Sequence, residues 1–136
     1  MEKFNIWDNN KSNLEKFEDE RGIISDIFYK ENINHVAIIS SKKESVRGNH
    51  WHKFTIQHTL VTKGKMEYWY KPVDSDEKPK SLILNEGDMI STPPNQIHAL
   101  LAVSDNETMI FTEGPRGGAD YENDTFRVEK SIIPNR

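Results

Sequence analysis

The chain has 136 residues, about the size of one domain, and its 35% hydrophobic content includes three Trp, four Tyr and six Phe, enough to close a packed core. A formal net charge of -4 leaves no electrostatic footprint for nucleic acid or for an anionic membrane surface. No cysteine is present, which excludes a disulfide framework, a thiolate metal site and a cysteine nucleophile together.

The N-terminus, MEKFNIWDNN, lacks the apolar run of a secretory signal, and no segment approaches membrane-spanning length, so a soluble cytoplasmic protein is expected. Residues 12–18 form the one helical-looking stretch, and it is short. From Gly22 onward the pattern changes to brief β-branched and aromatic runs broken by Gly, Pro, Asn and Asp. Strands are expected over 23–29, 35–40, 46–52, 55–62, 65–71, 81–84, 88–91, 97–103 and 108–113. The charged, proline-containing segment 73–80 reads as an exposed loop linking two hairpins, and 114–120 (GPRGGAD) as a second break. No sequence period repeats, so the strands belong to a barrel or sandwich and not to a solenoid. No composition shift divides the chain: residues 1–136 form a single domain, with 1–20 as an N-terminal and 114–136 as a C-terminal extension.

The stretch from Arg47 to Gly64, RGNHWHKFTIQHTLVTKG, carries the chemistry. Side chains alternate along a strand, so His50 and His52 share a face and can converge on one ion or one substrate group. Gln57 and Gly64 follow at spacings that resemble the first cupin motif, H-x-H-x4-E-x6-G, with Gln in place of Glu. Gly87 to His98, GDMISTPPNQIH, resembles the second, G-x5-P-x-G-x2-H, with Asn95 where the second glycine stands. Asparagine tolerates the left-handed turn conformation that a glycine usually supplies. The resemblance implies an all-β cupin jelly roll, a double-stranded β-helix barrel, with His50, His52, His98 and Gln57 gathered inside. His58, one residue after Gln57, faces the other side and reads as structural or exposed. His35 is given no role, and Trp51 alternates away from the two histidines into packing.

Two chemistries are open to this set. Three imidazoles and an amide oxygen suit a divalent transition metal such as Zn, Fe, Mn, Ni or Cu, although the Glu-to-Gln change removes the anionic ligand. Without a metal, the same imidazoles titrate close to working pH and suit proton transfer beside a ketone.

RGNHWHK also resembles the R-G-x-H-x-H-K strand of the deoxythymidine-diphosphate 4-keto-6-deoxyhexose 3,4-ketoisomerases. It is similar to the R-G-x-H stretch of the dTDP-4-dehydrorhamnose 3,5-epimerases, and DERG at 19–22 resembles their D-x-R-G opening. That resemblance implies His50 and His52 as the proton-transferring pair and Arg47 as a ligand for a nucleotide diphosphate, a task suited to a bidentate guanidinium. It further implies an isomerase or epimerase of surface-polysaccharide biosynthesis, with a nucleotide-sugar substrate, no required cofactor and a homodimer, often with an exchanged strand. The absence of a dinucleotide fingerprint agrees with a reaction that needs no redox cofactor.

Departures are Trp51, where the ketoisomerase pattern has a small residue, and Arg47, which strict alternation turns away from His50 unless the strand carries a bulge. Tyr68 and Tyr70 share a strand face and are candidates for lining the pocket, with core packing as the other role open to them. The tail GPRGGADYENDTFRVEK concentrates Arg116, Tyr121, Asp124 and Arg127, as a pocket cover, a partner contact or a solvated tail. A metal-dependent dioxygenase or lyase and a non-catalytic sugar-binding cupin are the competing functions.

Overall fold

The computed structural model describes residues 2–8, 14–114 and 122–136. Twelve strands occur among them: β1 (Lys3–Asn5), β2 (Lys16–Asp19), β3 (Gly22–Ser25), β4 (His35–Ser41), β5 (Val46–Trp51), β6 (Ile56–Lys63), β7 (Met66–Pro72), β8 (Lys80–Leu84), β9 (Asp88–Thr92), β10 (Gln96–Ala102), β11 (Asn106–Glu113) and β12 (Phe126–Arg127). Two five-stranded sheets, ordered β1-β9-β6-β11-β4 and β12-β5-β10-β7-β8, face each other, and β2 and β3 form a separate hairpin. All pairings are antiparallel. This is the expected cupin jelly roll. Among the described residues no helix is long and apolar enough to cross a membrane.

Strand alternation decides what lies between the sheets. Gln57, Thr59 and Val61 of β6 point inward while His58 and Leu60 point outward, and β7 sends Met66, Tyr68 and Tyr70 inward. One end of the interior is filled by Val61, Met66, Tyr68, Leu84, Ile90 and Leu100, with Tyr70 and Leu82 packed against them. Two satellite clusters lie outside. Leu60, Met89, Phe111 and Ile6 sit under Ile27 and Phe28 on one sheet, and Ala99, Leu101 and Ile133 sit under Trp69 on the other.

Three expectations are corrected. The helical-looking stretch is partly strand: β2 pairs with β3 from Lys16↔Ser25 to Asp19↔Gly22, and residues 12 and 13 lie outside the described set. Cross-strand pairing overrides the helix propensity of Lys16 and Glu18. The strand expected over 23–29 ends at Ser25, and Ile27 and Phe28 instead pack over the outer cluster. The 73–80 loop joins β7 to β8, which pair with each other, so it closes one hairpin and does not link two.

The terminal segments join the barrel. β1 pairs with β9, and β12 pairs with β5. The Asn49 side chain binds Ser131 Oγ at 3.1 Å and the Ile132 amide at 2.9 Å, while Ile133 is buried. Residues 122–136 are therefore docked, not a solvated tail. Arg116 and Tyr121 lie outside the described residues.

Candidate active site

The register of β5 against β10 decides which side chains meet. His98 pairs with His50, but Ala99 pairs with Gly48, so Asn49 is the extra residue of a bulge. Gly48 and Asn49 both carry positive φ, 91° and 57°. An alanine at 48 would be strained at that φ, and its Cβ would stand 2.7 Å from the His98 carbonyl oxygen. The inserted residue resets the alternation, and Arg47 faces the same cavity as His50. This is the bulge that Arg47 requires. Arg47 Nε donates to Ser41 Oγ at 2.8 Å, and a terminal nitrogen donates to the Ser40 carbonyl at 2.9 Å. Of its five N–H donors, three remain for a ligand. Asn95 takes the expected left-handed conformation, φ 64°, and its amide donates to the His52 carbonyl at 2.7 Å.

The cavity has a volume of about 330 Å³, and its polar lining is Arg47, His50, Gln57, His98, Thr108 and Arg127. The rings of His50, His52 and His98 lie 4.7–5.3 Å apart, centre to centre. Main-chain carbonyls orient two of them. His52 Nδ1 lies 2.8 Å from the Asp124 oxygen, and His98 Nδ1 lies 3.2 Å from the Gln96 oxygen. A carbonyl can only accept, so each Nδ1 carries a proton, and the neutral form of either ring has its lone pair at Nε2. Both Nε2 atoms are buried without a hydrogen-bond partner. Buried polar atoms left in this state point to a bound group.

Burial pushes the His98 pKa down to about 4, helped by the neighbouring His52 and opposed by the Gln96 carbonyl. His98 is therefore neutral at pH 7, as a base or a metal ligand requires.

The three histidines also fit a metal: one ligand atom from each lies within 4.8 Å of the others. A tetrahedral zinc would hold its nitrogens roughly 3.3 Å apart, so the rings would have to draw inward. Gln57, whose Nε2 is 3.4 Å from Thr59 Oγ1, would leave its amide oxygen as the fourth donor.

Asp124 is the residue that sequence reasoning undervalued. Its carboxylate accepts from the amides of Lys53, Phe54 and Thr55 and from Thr55 Oγ1, at 2.7–3.3 Å. Burial raises its pKa, but these donors outweigh burial and hold it below the usual carboxylate value. Asp124 thus pins the turn after β5 with its side chain and orients His52 with its carbonyl. No side-chain pattern marks the second task.

Other expected residues are placed as follows. Tyr68 is fully buried in the interior core, its hydroxyl 2.6 Å from Thr92 Oγ1, and burial lifts its pKa to about 12. It does not line the cavity; the packing role prevails. Tyr70 pairs with His98 across β7 and β10 but opens onto a separate small cleft with Lys80 and Gln96. His58 lies on the outer face, between Ser91 Oγ at 2.6 Å and Glu113 at 2.9 Å. Trp51 stacks on Phe126, ring centres 4.6 Å apart. His35 and Thr112, cross-strand neighbours on the inner face, each keep a buried polar atom without a partner.

The sequence matches the polysaccharide biosynthesis C-terminal domain over residues 17–125, most of the chain. The chain belongs to that family. Among curated proteins none matches it. Its fold is similar to that of dTDP-4-dehydrorhamnose 3,5-epimerase from Sulfolobus tokodaii, at TM-score 0.72 and 23% identity, covering 87% of this chain and 75% of that one. The sugar 3,4-ketoisomerase QdtA from Thermoanaerobacterium thermosaccharolyticum, solved with TDP, aligns at TM-score 0.69 and 19% identity, covering 85% of each chain. The capsular polysaccharide assembling protein CapF from Staphylococcus aureus aligns at 0.63 and 22%, covering 86% of this chain and 34% of that longer one.

The His98 ring sets a pH dependence. In the unfolded chain a histidine takes up its proton near pH 6.5, whereas folded His98 does so only near 4. As pH falls across that window the unfolded state binds the extra proton and gains stability, so the folded state is weakened by on the order of 3 kcal/mol. Urea midpoints of chelator-treated protein are expected to fall between pH 6.5 and about 4. The His98→Gln variant should lose most of that slope; an unchanged slope would contradict a neutral His98.

Proposed function

We propose that the chain is a sugar-nucleotide isomerase or epimerase of polysaccharide assembly, working by proton transfer beside a keto group. The observation that carries this reading is the cavity in which a guanidinium, Arg47, and an imidazole, His50, face the same space. Family membership in polysaccharide biosynthesis supports it, as does the shared fold of a dTDP-sugar epimerase and a ketoisomerase. Arg47 would hold the diphosphate. His50 lines the cavity, while His52 is buried behind it with a fixed tautomer. One of the pair takes the proton from the carbon next to the ketone, leaving an enolate. An acid, either the other imidazole entering the step in its protonated form or a tyrosine, returns a proton to the opposite face or to the neighbouring carbon. Electrons and protons balance within the substrate, so no redox cofactor is consumed.

The test is solvent-deuterium incorporation into dTDP-4-keto-6-deoxyglucose, read by NMR. Wild-type protein should exchange the proton next to the ketone, and His50→Ala should slow exchange by about 10²–10⁴-fold, the usual contribution of a general base. Absence of exchange in this and related keto sugars, despite saturable binding, would favour a sugar-binding cupin without turnover.

A second reading has its own support in the two partnerless Nε2 atoms and the close histidine set. His50, His52, His98 and Gln57 would hold a divalent transition metal, which when bound would supply Lewis acidity for a dioxygenase or lyase type of reaction. Elemental analysis of protein purified without added metal decides. A stoichiometric metal, lost in His98→Ala, would carry this reading; no retention, and no calorimetric binding of added zinc, would end it.

The working form is proposed to be a cytoplasmic homodimer. Edge strand β4 exposes Val36 and Ile38, and the β2–β3 hairpin exposes Phe17 and Ile24, each more than half accessible. An open edge with apolar side chains is a liability in a monomer. Light scattering should give twice the chain mass, and Ile38→Lys should shift it toward monomer; a wild-type monomer at micromolar concentration would refute the dimer.

A further inference from the structure

We propose that Arg127, on the C-terminal strand β12, is a specificity-determining residue that closes an anion clamp with Arg47 over the histidine cavity. The proposal deepens the nucleotide-sugar reading and rests on it for the identity of the ligand.

Two features place Arg127 there. It is the cross-strand partner of His50, and directly opposed residues of an antiparallel pair project from the same face. It lines the cavity together with Arg47, at the end of the bulged strand. It lies just past residues 17–125, the stretch that matches the family.

The charge of the cavity gives the clamp its meaning. The chain as a whole carries -4, with 22 Asp and Glu residues. Yet two arginines, and no carboxylate, are among the described residues that line this cavity. A guanidinium pair of this kind attracts an anion with several oxygens, and a diphosphate presents one such oxygen set to each fork. Val46, Met66 and Leu100 add apolar side chains to the lining.

β12 is also held firmly enough to position a side chain. Asp124 is locked to the 53–55 turn, Phe126 stacks on Trp51, and the Val128 amide donates to the Asn49 carbonyl at 3.0 Å. The docked C-terminal segment thus has a task at the ligand, separate from covering the outer face of β5.

The experiment is calorimetric titration of the full chain with TDP, with thymidine and with inorganic pyrophosphate, for wild type, Arg127→Gln and Arg127→Lys. Melting temperature and tryptophan fluorescence check that β12 stays docked. Arg127→Gln should weaken TDP binding at least about tenfold and flatten its salt dependence. Arg127→Lys should fall between, and thymidine binding should not change. Equal TDP affinity in wild type and Arg127→Gln would overturn the clamp while leaving the nucleotide-sugar reading intact. Wild-type binding of pyrophosphate but not TDP, lost in Arg127→Gln, would keep the clamp and overturn the nucleotide. Wild-type protein that binds neither anion overturns the clamp.

Discussion

The site depends on one extra residue in one strand. With a regular β5, Arg47 and His50 would face opposite sides of the sheet, and no cavity would hold both. The Gly48–Asn49 bulge removes that conflict, and it does so at a place where only glycine fits against the His98 carbonyl. The same insertion frees the Asn49 side chain to bind Ser131 and Ile132, so the kink that aims Arg47 also anchors the C-terminal segment. Local backbone geometry, ligand chemistry and tertiary docking thus share a single cause. The bulge lies in the part of the chain that matches the family, whereas the strand it anchors extends past it.

Two kinds of order divide the barrel interior. At one end, aliphatic side chains and Tyr68 pack together, and Met66 and Leu100 of that cluster also border the cavity. At the other, polar atoms remain buried and unsatisfied on His52, His98, Thr112 and His35. A protein interior normally avoids the second condition, because each such atom costs about 1–3 kcal/mol. The apolar end gives the barrel the rigidity that lets the polar end keep these atoms ready. The neutrality of His98 follows from the same burial.

Much of this was legible in the residues. Alternation located nine of the strands, because each has one face on a core and one outside. The His–x–His spacing and the distant His98 pointed to one cluster, and the three rings do lie together. Three things were not legible, each for a physical reason. β1 and β2 are too short to carry a period, and their pairing with β9 and β3 is a tertiary fact. Tyr68 and Tyr70 were rightly placed on one face, but alternation fixes the side of a sheet and not the depth, so it could not separate core from cavity. Asp124 acts on His52 through its carbonyl, a group every residue has, so its identity gave no sign of that role.

That last point reaches beyond this residue. Both acceptors that select the imidazole tautomers, on Asp124 and on Gln96, belong to the main chain. No amino-acid replacement deletes a carbonyl. A survey of side-chain variants would therefore score the orientation of these rings as unassisted, however strongly the polypeptide path controls it. For the same reason this part of the site can drift in sequence without drifting in chemistry, provided the chain keeps its course past the two rings.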